Sequence, residues 1–261
     1  MKTAILCGGR GIRLREVADL LPKPMVHVGA KPILWHIMKI YGSHGFNEFV
    51  LLLGYKGDVI REFFYNFALH TADVTIDLSR TDAGRLMFHS APSEPWTVTM
   101  ADTGEDAMTG ARIWNSRRYF QDADAFMVTY GDGVGDIDIR CLLEFHRAHG
   151  KIATVTGVRP PGRFGELQTE DGLVRTFNEK PQVTGGLING GFFVFNREFI
   201  GSYLNDREDL VLEQEPLAQL VSDRQLMVFP HTGFWQPMDT PREHQLLNDL
   251  WASGKAPWKT W

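Results

Sequence analysis

Cysteine is scarce in this sequence: there are two, Cys7 and Cys141, among 261 residues. Cys7 lies in the first predicted strand and Cys141 begins a predicted helix, so neither belongs to a disulfide framework or a zinc site. We therefore expect both thiols to be reduced and the protein to be cytoplasmic.

Long hydrophobic runs and an excess of positive charge are also missing. Apolar stretches such as FVLLL at 49–53 are too short to cross a bilayer, and we expect no signal peptide in MKTAILCGG at 1–9. Lysine and arginine number 27 against 32 acidic residues, a net charge of −5. An acidic protein offers no general attraction to nucleic acids or anionic membranes, so we expect neither as a partner.

Short aliphatic runs alternate with helical patterns along most of the chain. The predicted strands are 3–7, 48–54, 124–134, 152–158 and 190–196, and the predicted helices are 32–45, 57–67, 141–150, 212–223 and 240–251. Between about 70 and 115, alternating short strands and turn residues predict an antiparallel excursion. This order predicts a single α/β domain, residues 1–261, around a mixed sheet.

A glycine-rich turn follows the first strand, and cations follow the turn. Gly8, Gly9 and Gly11 leave backbone N–H groups able to face an anion closely. Arg13 offers a fork of donors for phosphate oxygens, and Lys23, between two prolines that stiffen its segment, offers a point charge. A tight turn with solvated cations is the alternative. Neither the P-loop nor the dinucleotide fingerprint is complete, so a triphosphate or sugar phosphate fits better than NAD.

Two aspartates, Asp132 and Asp239, are candidate magnesium ligands. Asp132 follows a predicted buried strand, which places it at the carboxyl edge of the sheet, where α/β sheets bind ligands. Mg²⁺ is typically held by one or two carboxylates together with substrate phosphates. The alternatives are a turn residue for Asp132 and a helix N-cap for Asp239, which could serve both purposes.

Candidate contacts for a sugar phosphate lie in the second half of the chain. Glu179 and Lys180, in FNEKP, pair an acceptor for sugar hydroxyls with a donor for a phosphate. Asn189 and Gly190 would let a polyol approach the backbone closely. A solvated strand end is the alternative for Glu179 and Lys180.

Together these motifs resemble the sugar-1-phosphate nucleotidylyltransferases over essentially the full chain. The family segments G-G-x-G-T-R-L, P-K-P, G-D, E-K-P and N-G-G have counterparts here, and YGDGVGDIDI, PPGRFGEL, LEQEPL, GFWQPMDT and GKAPWKTW are similar to its cytidylyl branch. The resemblance implies a Rossmann-like three-layer nucleotidyltransferase fold with a mixed, mainly parallel central sheet. It implies that CTP and glucose 1-phosphate react, with Mg²⁺ as cofactor, to CDP-glucose and pyrophosphate for O-antigen precursors. It also implies a homo-oligomer (trimer or hexamer), with a contact near 70–115.

The resemblance assigns roles residue by residue. Catalysis is expected of Arg13 and Lys23. Nucleotide contacts are expected of Leu6, Cys7, Gly8, Gly9, Arg10, Gly11, Ile12, Arg13, Lys23, Thr103, Thr109, Gly110, Arg112, Tyr130 and Gly131. Sugar-phosphate contacts are expected of Glu179, Lys180, Asn189 and Gly190, and metal binding of Asp132 and Asp239.

One position departs from the family pattern: Ile12 stands where the family has the threonine of G-T-R-L. A lost hydroxyl contact to a charged phosphate costs on the order of 1 kcal/mol or more. Ile12→Thr should then raise kcat/KM for CTP in a steady-state assay.

Other functions stay open from the sequence. The same chemistry with dTTP, UTP or another hexose 1-phosphate is one alternative. A non-catalytic sensor of nucleotides or sugar phosphates is another, which intact Lys23, Asp132 and Asp239 disfavour. A metalloprotein built on histidines is disfavoured as well. His146 and His149 lie on one predicted helix, but no further ligands have a recognisable spacing, so we interpret them as a solvated face.

Overall fold

The computed structural model describes residues 1–9, 21–91, 93–160, 166–170, 173–178 and 186–261. The strands are β1 (Lys2–Leu6), β2 (His27–Val28), β3 (Lys31–Pro32), β4 (Glu48–Leu53), β5 (Val74–Ile76), β6 (Leu86–Phe88), β7 (Thr97–Asp102), β8 (Ala125–Tyr130), β9 (Gly133–Gly135), β10 (Ala153–Val158), β11 (Glu166–Glu170), β12 (Leu173–Asn178), β13 (Ile188–Asn196), β14 (Leu226–His231) and β15 (Trp235–Pro237). The α-helices are α1 (Ile33–Ser43), α2 (Gly57–Tyr65), α3 (Phe67–Thr71), α4 (Thr109–Asn115), α5 (Ile139–His149), α6 (Glu198–Tyr203), α7 (Glu215–Ser222) and α8 (Pro241–Ala252). Within these described ranges, no helix has the length and apolar character needed to cross a membrane.

A seven-stranded sheet in the order β14–β10–β13–β8–β1–β4–β7 forms the centre. β1 is parallel to β4 and β8, β4 to β7, and β10 to β14, whereas β13 is antiparallel to both of its neighbours. The predicted mixed, mainly parallel sheet is therefore confirmed. Because parallel strands end at the same edge, Leu6, Leu53, Asp102 and Tyr130 come to lie along one edge.

The central strands are buried on both faces. Ile5 and Leu51 pack into one hydrophobic cluster, with helices α1, α5 and α8, while Ala4 and Val50 pack into a second cluster on the opposite face. Successive side chains of a strand point to opposite faces, so a strand covered on both sides is apolar throughout. This explains why residues 49–53 of β4 form a continuous hydrophobic run.

The stretch 70–115 matches its prediction only in part. β5 and β6 form the expected antiparallel hairpin. β7 does not belong to that excursion: it pairs parallel to β4 at the edge of the central sheet, and α4 begins at Thr109. An edge strand is partly solvated, so it alternates in polarity whichever way it runs, and the pattern could not reveal its direction.

His146 and His149 do not form a solvated face, so that prediction is wrong. His146 is buried, with its ring nitrogens 2.9 Å from Thr154 Oγ1 and 3.0 Å from Asn196 Oδ1. His149 Nε2 lies 2.7 Å from the same threonine oxygen. Burial lowers the pKa of both rings. They fasten α5 to β10 and β13, and among the described residues no group of three or more His, Cys, Asp or Glu could hold a metal ion.

An aromatic cluster of His36, Trp251 and Trp258 joins the end of the chain to α1. His36 is fully buried, and its ring centroid lies 4.5 Å from that of Trp251. His36 Nε2–H donates to the Val28 carbonyl at 2.9 Å, while Trp258 Nε1–H donates to His36 Nδ1 at 3.3 Å. Both nitrogens are satisfied only when the ring is neutral, and burial lowers its pKa to about 4. The cluster thus supports the Val28 end of the segment that begins at Lys23.

Candidate active site

A cavity of about 500 Å³ opens at the carboxyl edge of β1 and β8. It is lined by Leu6, Gly8, Gly9, Lys23, Pro24, Glu105, Asp106, Ala107, Met108, Thr109, Arg112, Tyr130, Gly131 and Asp132. A second cleft, of about 460 Å³, includes Asp124 and Lys151 at the amino ends of β8 and β10. Ligands of α/β sheets bind at the carboxyl ends, so the first cavity is the candidate active site.

Lys23, Asp132 and Asp239 form a compact group on one side of this cavity, here called the lysine–carboxylate group. Lys23 Nζ donates to Asp132 Oδ2 at 2.6 Å and to Asp239 Oδ1 at 2.5 Å. The lysine side chain is 13% exposed and the aspartates are 32% and 34% exposed. Burial alone lowers the pKa of Lys23, but the two carboxylates outweigh burial and raise that pKa above its usual value. The ammonium therefore stays charged.

A small two-stranded ladder brings the two aspartates together from distant parts of the sequence. Asp132 precedes β9, Asp239 follows β15, and the strands pair antiparallel with Gly133 opposite Pro237. The N–H of Met238 donates to the carbonyl of Asp132 at 2.8 Å. The register of this ladder, rather than any sequence spacing, sets the distance between the two carboxylates.

Asp239 is not the N-cap of α8, in contrast to the alternative suggested by the sequence. Thr240 caps the helix, and its Oγ1 accepts from the N–H of Glu243 at 3.3 Å. The Glu243 carboxylate accepts from the N–H groups of Asp239 and Thr240 at 2.8 and 2.9 Å, which completes a capping box. The Asp239 carboxylate therefore binds Lys23 instead of the helix, while its backbone is fixed.

The oxygens of Asp132 and Asp239 suit a hard divalent cation. One oxygen of each carboxylate lies within 2.6 Å of Lys23 Nζ, so the two oxygens converge on one point. Mg²⁺ takes oxygen ligands and needs few of them from the protein when phosphates supply the rest. Two convergent carboxylates therefore fit a magnesium site that the substrate completes.

Arg112 is a buried clamp beneath the cavity. Its terminal nitrogens donate hydrogen bonds of 2.7–3.1 Å to the carbonyl oxygens of Gly8, Leu53, Gly104 and Glu105 and to the hydroxyl of Thr103. Burial lowers the pKa of this guanidinium. Arg112 thus ties the turn after β1 to the loop after β7, and most of its donors are already engaged with the protein.

The close approach of Arg112 explains the glycine at position 8. A Cβ added at Gly8 would lie 2.1 Å from Arg112 Cζ, and one at Gly54 would lie 2.3 Å from Nη1 of the same side chain. Both positions therefore require glycine whether or not a ligand binds. A Cβ at Gly9, by contrast, would meet no described atom within 4 Å, so among the described residues the backbone there has open space beside it.

Glu213 is a site residue that the motifs did not single out. It accepts a short hydrogen bond from the Tyr130 hydroxyl through Oε1 and one of 2.7 Å from the Thr109 hydroxyl through Oε2. Asn189 Nδ2 donates to the Tyr130 hydroxyl at 3.1 Å. Burial, followed by the charge of Glu213, raises the pKa of Tyr130, so the phenol keeps its proton. Glu213 lies in LEQEPL, which the family resemblance includes, but a single glutamate before a helix has no spacing that indicates a role.

Three predicted nucleotide contacts lie behind the cavity wall instead of in its lining. Cys7 is fully buried, burial raises the pKa of its thiol, and its N–H donates to Leu52 at 3.1 Å. The Thr103 hydroxyl donates to the Leu53 carbonyl at 2.6 Å, and the Gly110 N–H donates to Leu210 at 2.9 Å. In this structure their polar groups serve the fold.

The remaining predicted residues divide into two sets. Gly131 lines the cavity and donates its N–H to Leu6 at 3.0 Å, and the Gly190 carbonyl accepts from Trp235 Nε1 at 2.8 Å. The predicted residues outside the described ranges are Arg10, Gly11, Ile12, Arg13, Glu179 and Lys180. Their roles stay predictions.

Comparison with known proteins agrees with this fold. The family model described as nucleotidyl transferase matches residues 2–237. The chain therefore belongs to the nucleotidyl transferase family. It is 52% identical over 261 residues to the glucose-1-phosphate cytidylyltransferase of Salmonella typhi, with 100% of both chains covered.

More distant proteins are similar in sequence or in structure. The chain is 29% identical over 252 residues to the mannose-1-phosphate guanyltransferase of Gibberella zeae, which covers 93% of this chain and 62% of that protein. The crystal structure of HddC from Yersinia pseudotuberculosis aligns with a TM-score of 0.66 at 23% identity, covering 96% of this chain and 99% of the other. This likeness confirms the predicted Rossmann-like α/β fold.

Proposed function

We propose that this chain transfers the cytidylyl group of CTP to α-D-glucose 1-phosphate, which yields CDP-glucose and pyrophosphate. Its full-length 52% identity to the Salmonella typhi cytidylyltransferase supports these substrates. The structural observation that carries the proposal is the convergence of Lys23, Asp132 and Asp239 beside a cavity of nucleotide size.

The reaction requires positioning and charge neutralisation more than covalent chemistry by the protein. A phosphate oxygen of glucose 1-phosphate attacks the α-phosphorus of CTP, and the bond from that phosphorus to the bridging oxygen of the β-phosphate breaks, so that pyrophosphate leaves. Lys23 would neutralise charge on the reacting phosphates. Its segment is suited to this because the Met25 N–H donates to the Pro22 carbonyl at 2.8 Å, which holds Lys23 in a short 3-10 turn.

Asp132 and Asp239 would hold Mg²⁺ on the nucleotide phosphates, where the ion would lower the charge around the α-phosphorus. With one ammonium and two carboxylates, the lysine–carboxylate group carries a net charge of −1. It therefore attracts a cation through its aspartates and phosphate oxygens through its lysine. Pyrophosphate, the leaving group, would also be bound by Arg13, a role proposed from the sequence.

The two substrates are assigned to different walls of the cavity. The open backbone at Gly9 and the segment near Thr109 are proposed to receive the nucleotide. Asn189, which donates a hydrogen bond to the Tyr130 hydroxyl, is proposed to receive the hexose together with Glu179 and Lys180.

We also propose that the protein forms homo-oligomers through the β5–β6 hairpin. Its apolar side chains are 41–80% exposed, and they are Ile76, Leu78, Leu86, Met87 and Phe88. A hairpin of two three-residue strands gains little stability alone, and a second copy packed on this surface would bury it. Met87→Lys should then reduce the mass measured by light scattering, whereas an unchanged mass would exclude this surface.

The cytoplasm is the proposed location, and CDP-glucose for O-antigen precursors is the proposed use of the product. Both cysteines, Cys7 and Cys141, are free thiols, which agrees with a reducing compartment. The proposed use of the product rests on the family resemblance.

The activity is tested by measuring pyrophosphate release with Mg²⁺, glucose 1-phosphate and CTP, dTTP, UTP, ATP or GTP in parallel. Release with CTP well above that with the other four nucleotides is expected. A preference for another nucleotide would overturn the cytidylyl assignment but keep the chemistry. Absence of release from all five, in protein shown to be folded, would overturn the proposed reaction.

A further inference from the structure

Glu213 connects two walls of the candidate active site. Its donors are Tyr130, at the carboxyl end of β8, and Thr109, the first residue of α4, and both line the cavity. Glu213 itself is exposed to solvent, and it contacts the cavity through these two lining residues. A carboxylate offers about four acceptor positions, and two of them are occupied by these hydroxyl groups.

The hydroxyl groups of Tyr130 and Thr109 both donate their protons in hydrogen bonds to Glu213. The Tyr130 hydroxyl also accepts from Asn189 Nδ2 at 3.1 Å, and the Thr109 hydroxyl accepts from the N–H of Leu212 at 2.9 Å. A hydroxyl has one proton and two lone pairs, so each keeps one lone pair for a ligand. Glu213, Tyr130 and Thr109 together therefore present acceptors to anything that binds beside them.

Glu213, Tyr130 and Thr109 form what we call the acceptor edge. This edge carries the full negative charge of Glu213, and its chemistry selects the ligand. It repels phosphate oxygens and favours groups that donate hydrogen bonds. Lys23 has the opposite preference, and it is attached to Asp132, two residues after Tyr130. The end of β8 thus links a site for phosphates to a site for hydrogen-bond donors.

We propose that Glu213 is a specificity-determining residue that binds the hydroxyl groups of a sugar and keeps phosphates on the Lys23 side of the cavity. The inference rests on the proposed transfer reaction. The hexose of glucose 1-phosphate is the expected source of these hydroxyls, because Asn189 belongs to the same hydrogen-bond chain. The ribose of CTP has the same chemistry, and the experiment distinguishes the two.

Glu213→Gln tests the proposal with little change in shape. Glutamine removes the charge and places an amide NH₂ against one of two hydroxyl groups that already donate. A hydrogen bond from the substrate to a charged side chain, when it is made equally in the ground state and the transition state, affects KM but not kcat. We therefore expect KM for glucose 1-phosphate to rise about 10- to 100-fold with a nearly unchanged kcat. Glu213→Asp, which keeps the charge with a shorter reach, should give an intermediate KM and provides a second variant if the first folds poorly.

Glu215→Gln is the matched control. Glu215 lies two residues further along, is exposed, and pairs with Arg207 instead of the cavity residues. Its substitution should leave both KM values within twofold of wild type. Circular dichroism melting of each variant checks that the fold is retained.

Deoxy substrates identify the source of the hydroxyls. If the hexose hydroxyl is the donor, wild type should have a raised KM for one of the deoxyglucose 1-phosphates. Glu213→Gln should then raise KM for that deoxy substrate only slightly further. If a ribose hydroxyl is the donor, Glu213→Gln should instead raise KM for CTP. That rise should be smaller when 2′-deoxy-CTP or 3′-deoxy-CTP replaces CTP. Either pattern supports the acceptor edge.

Two failures can be told apart. An active wild type together with a folded Glu213→Gln variant whose KM values match those of Glu215→Gln would overturn this inference alone. A folded wild type that releases no pyrophosphate from CTP and glucose 1-phosphate would overturn the proposed function, and the inference with it.

Discussion

Helix α8 (Pro241–Ala252) lies between two polar groups of opposite character. Just before it, Asp239 shares Lys23 with Asp132 in a group that remains about one third exposed at its carboxylates. Near its other end, His36 is fully buried between Trp251 and Trp258, and both ring nitrogens are satisfied. Charged groups in contact with water can exchange partners, whereas a buried neutral ring has one stable arrangement. One helix therefore lies next to both a group that can change partners and a contact that keeps one arrangement.

In the lysine–carboxylate group, Asp132→Asn should have the largest effect on activity. The substitution removes a candidate metal ligand while nearly preserving shape, so kcat/KM for pyrophosphate release should fall on the order of 1,000-fold. Asp138→Asn, an exposed N-cap of α5 outside the cavity, is the control and should remain active. A value within threefold of wild type for Asp132→Asn would contradict its role.

Trp258→Ala should have its effect on stability instead of chemistry. Removing a fully buried tryptophan is expected to reduce the free energy of unfolding by about 3–5 kcal/mol, measured by urea denaturation. Activity per folded molecule at low temperature should change little. Trp261→Ala, at a partly buried position, should reduce the free energy of unfolding by less. Equal reductions in the two variants would contradict a particular role of the aromatic cluster in stability.

His36 should make stability depend on pH in the acid range. Burial lowers its pKa in the folded protein to about 4 from a usual value of 6.5, so the unfolded chain binds the proton first as pH falls. The contribution is complete above about pH 6.5 and is lost progressively toward pH 4, by about 3 kcal/mol in total. Urea unfolding between pH 7 and 5 should therefore show a flatter pH dependence for His36→Gln. The same slope in variant and wild type would place the acid sensitivity elsewhere.

Lys23→Met should give the smallest change in stability and a distinct response to metal. The carboxylates of Asp132 and Asp239 would then face each other without a cation, which should reduce the free energy of unfolding by about 1–2 kcal/mol. Added Mg²⁺ should raise the melting temperature of the variant more than that of wild type, because the ion binds where the ammonium was. Equal shifts in differential scanning fluorimetry would contradict this view of Lys23.

The fold was more accessible to sequence reasoning than the site. Runs such as 49–53 predict buried strands because burial on both faces leaves a continuous apolar pattern. The direction of β7 was not predictable, since side-chain alternation carries no sign of direction. The proximity of Asp132 and Asp239 follows from the register of β9 and β15, which no spacing encodes. Glu213 was missed for the same reason: its contacts with Tyr130 and Thr109 exist only in the folded chain.

The place of β13 in the sheet has a consequence for synthesis of the chain. β7, β4, β1 and β8 all come from the first 130 residues, whereas the other native neighbour of β8 is β13, residues 188–196. At about 5–20 residues per second, a ribosome needs on the order of 3–13 seconds to make residues 131–196. During that interval the nascent chain exposes one edge of β8 without its native partner, and such an edge is a template for wrong pairing and a target for chaperones. Asp239 emerges later still, so the growing polypeptide completes its sheet before it completes the candidate metal site.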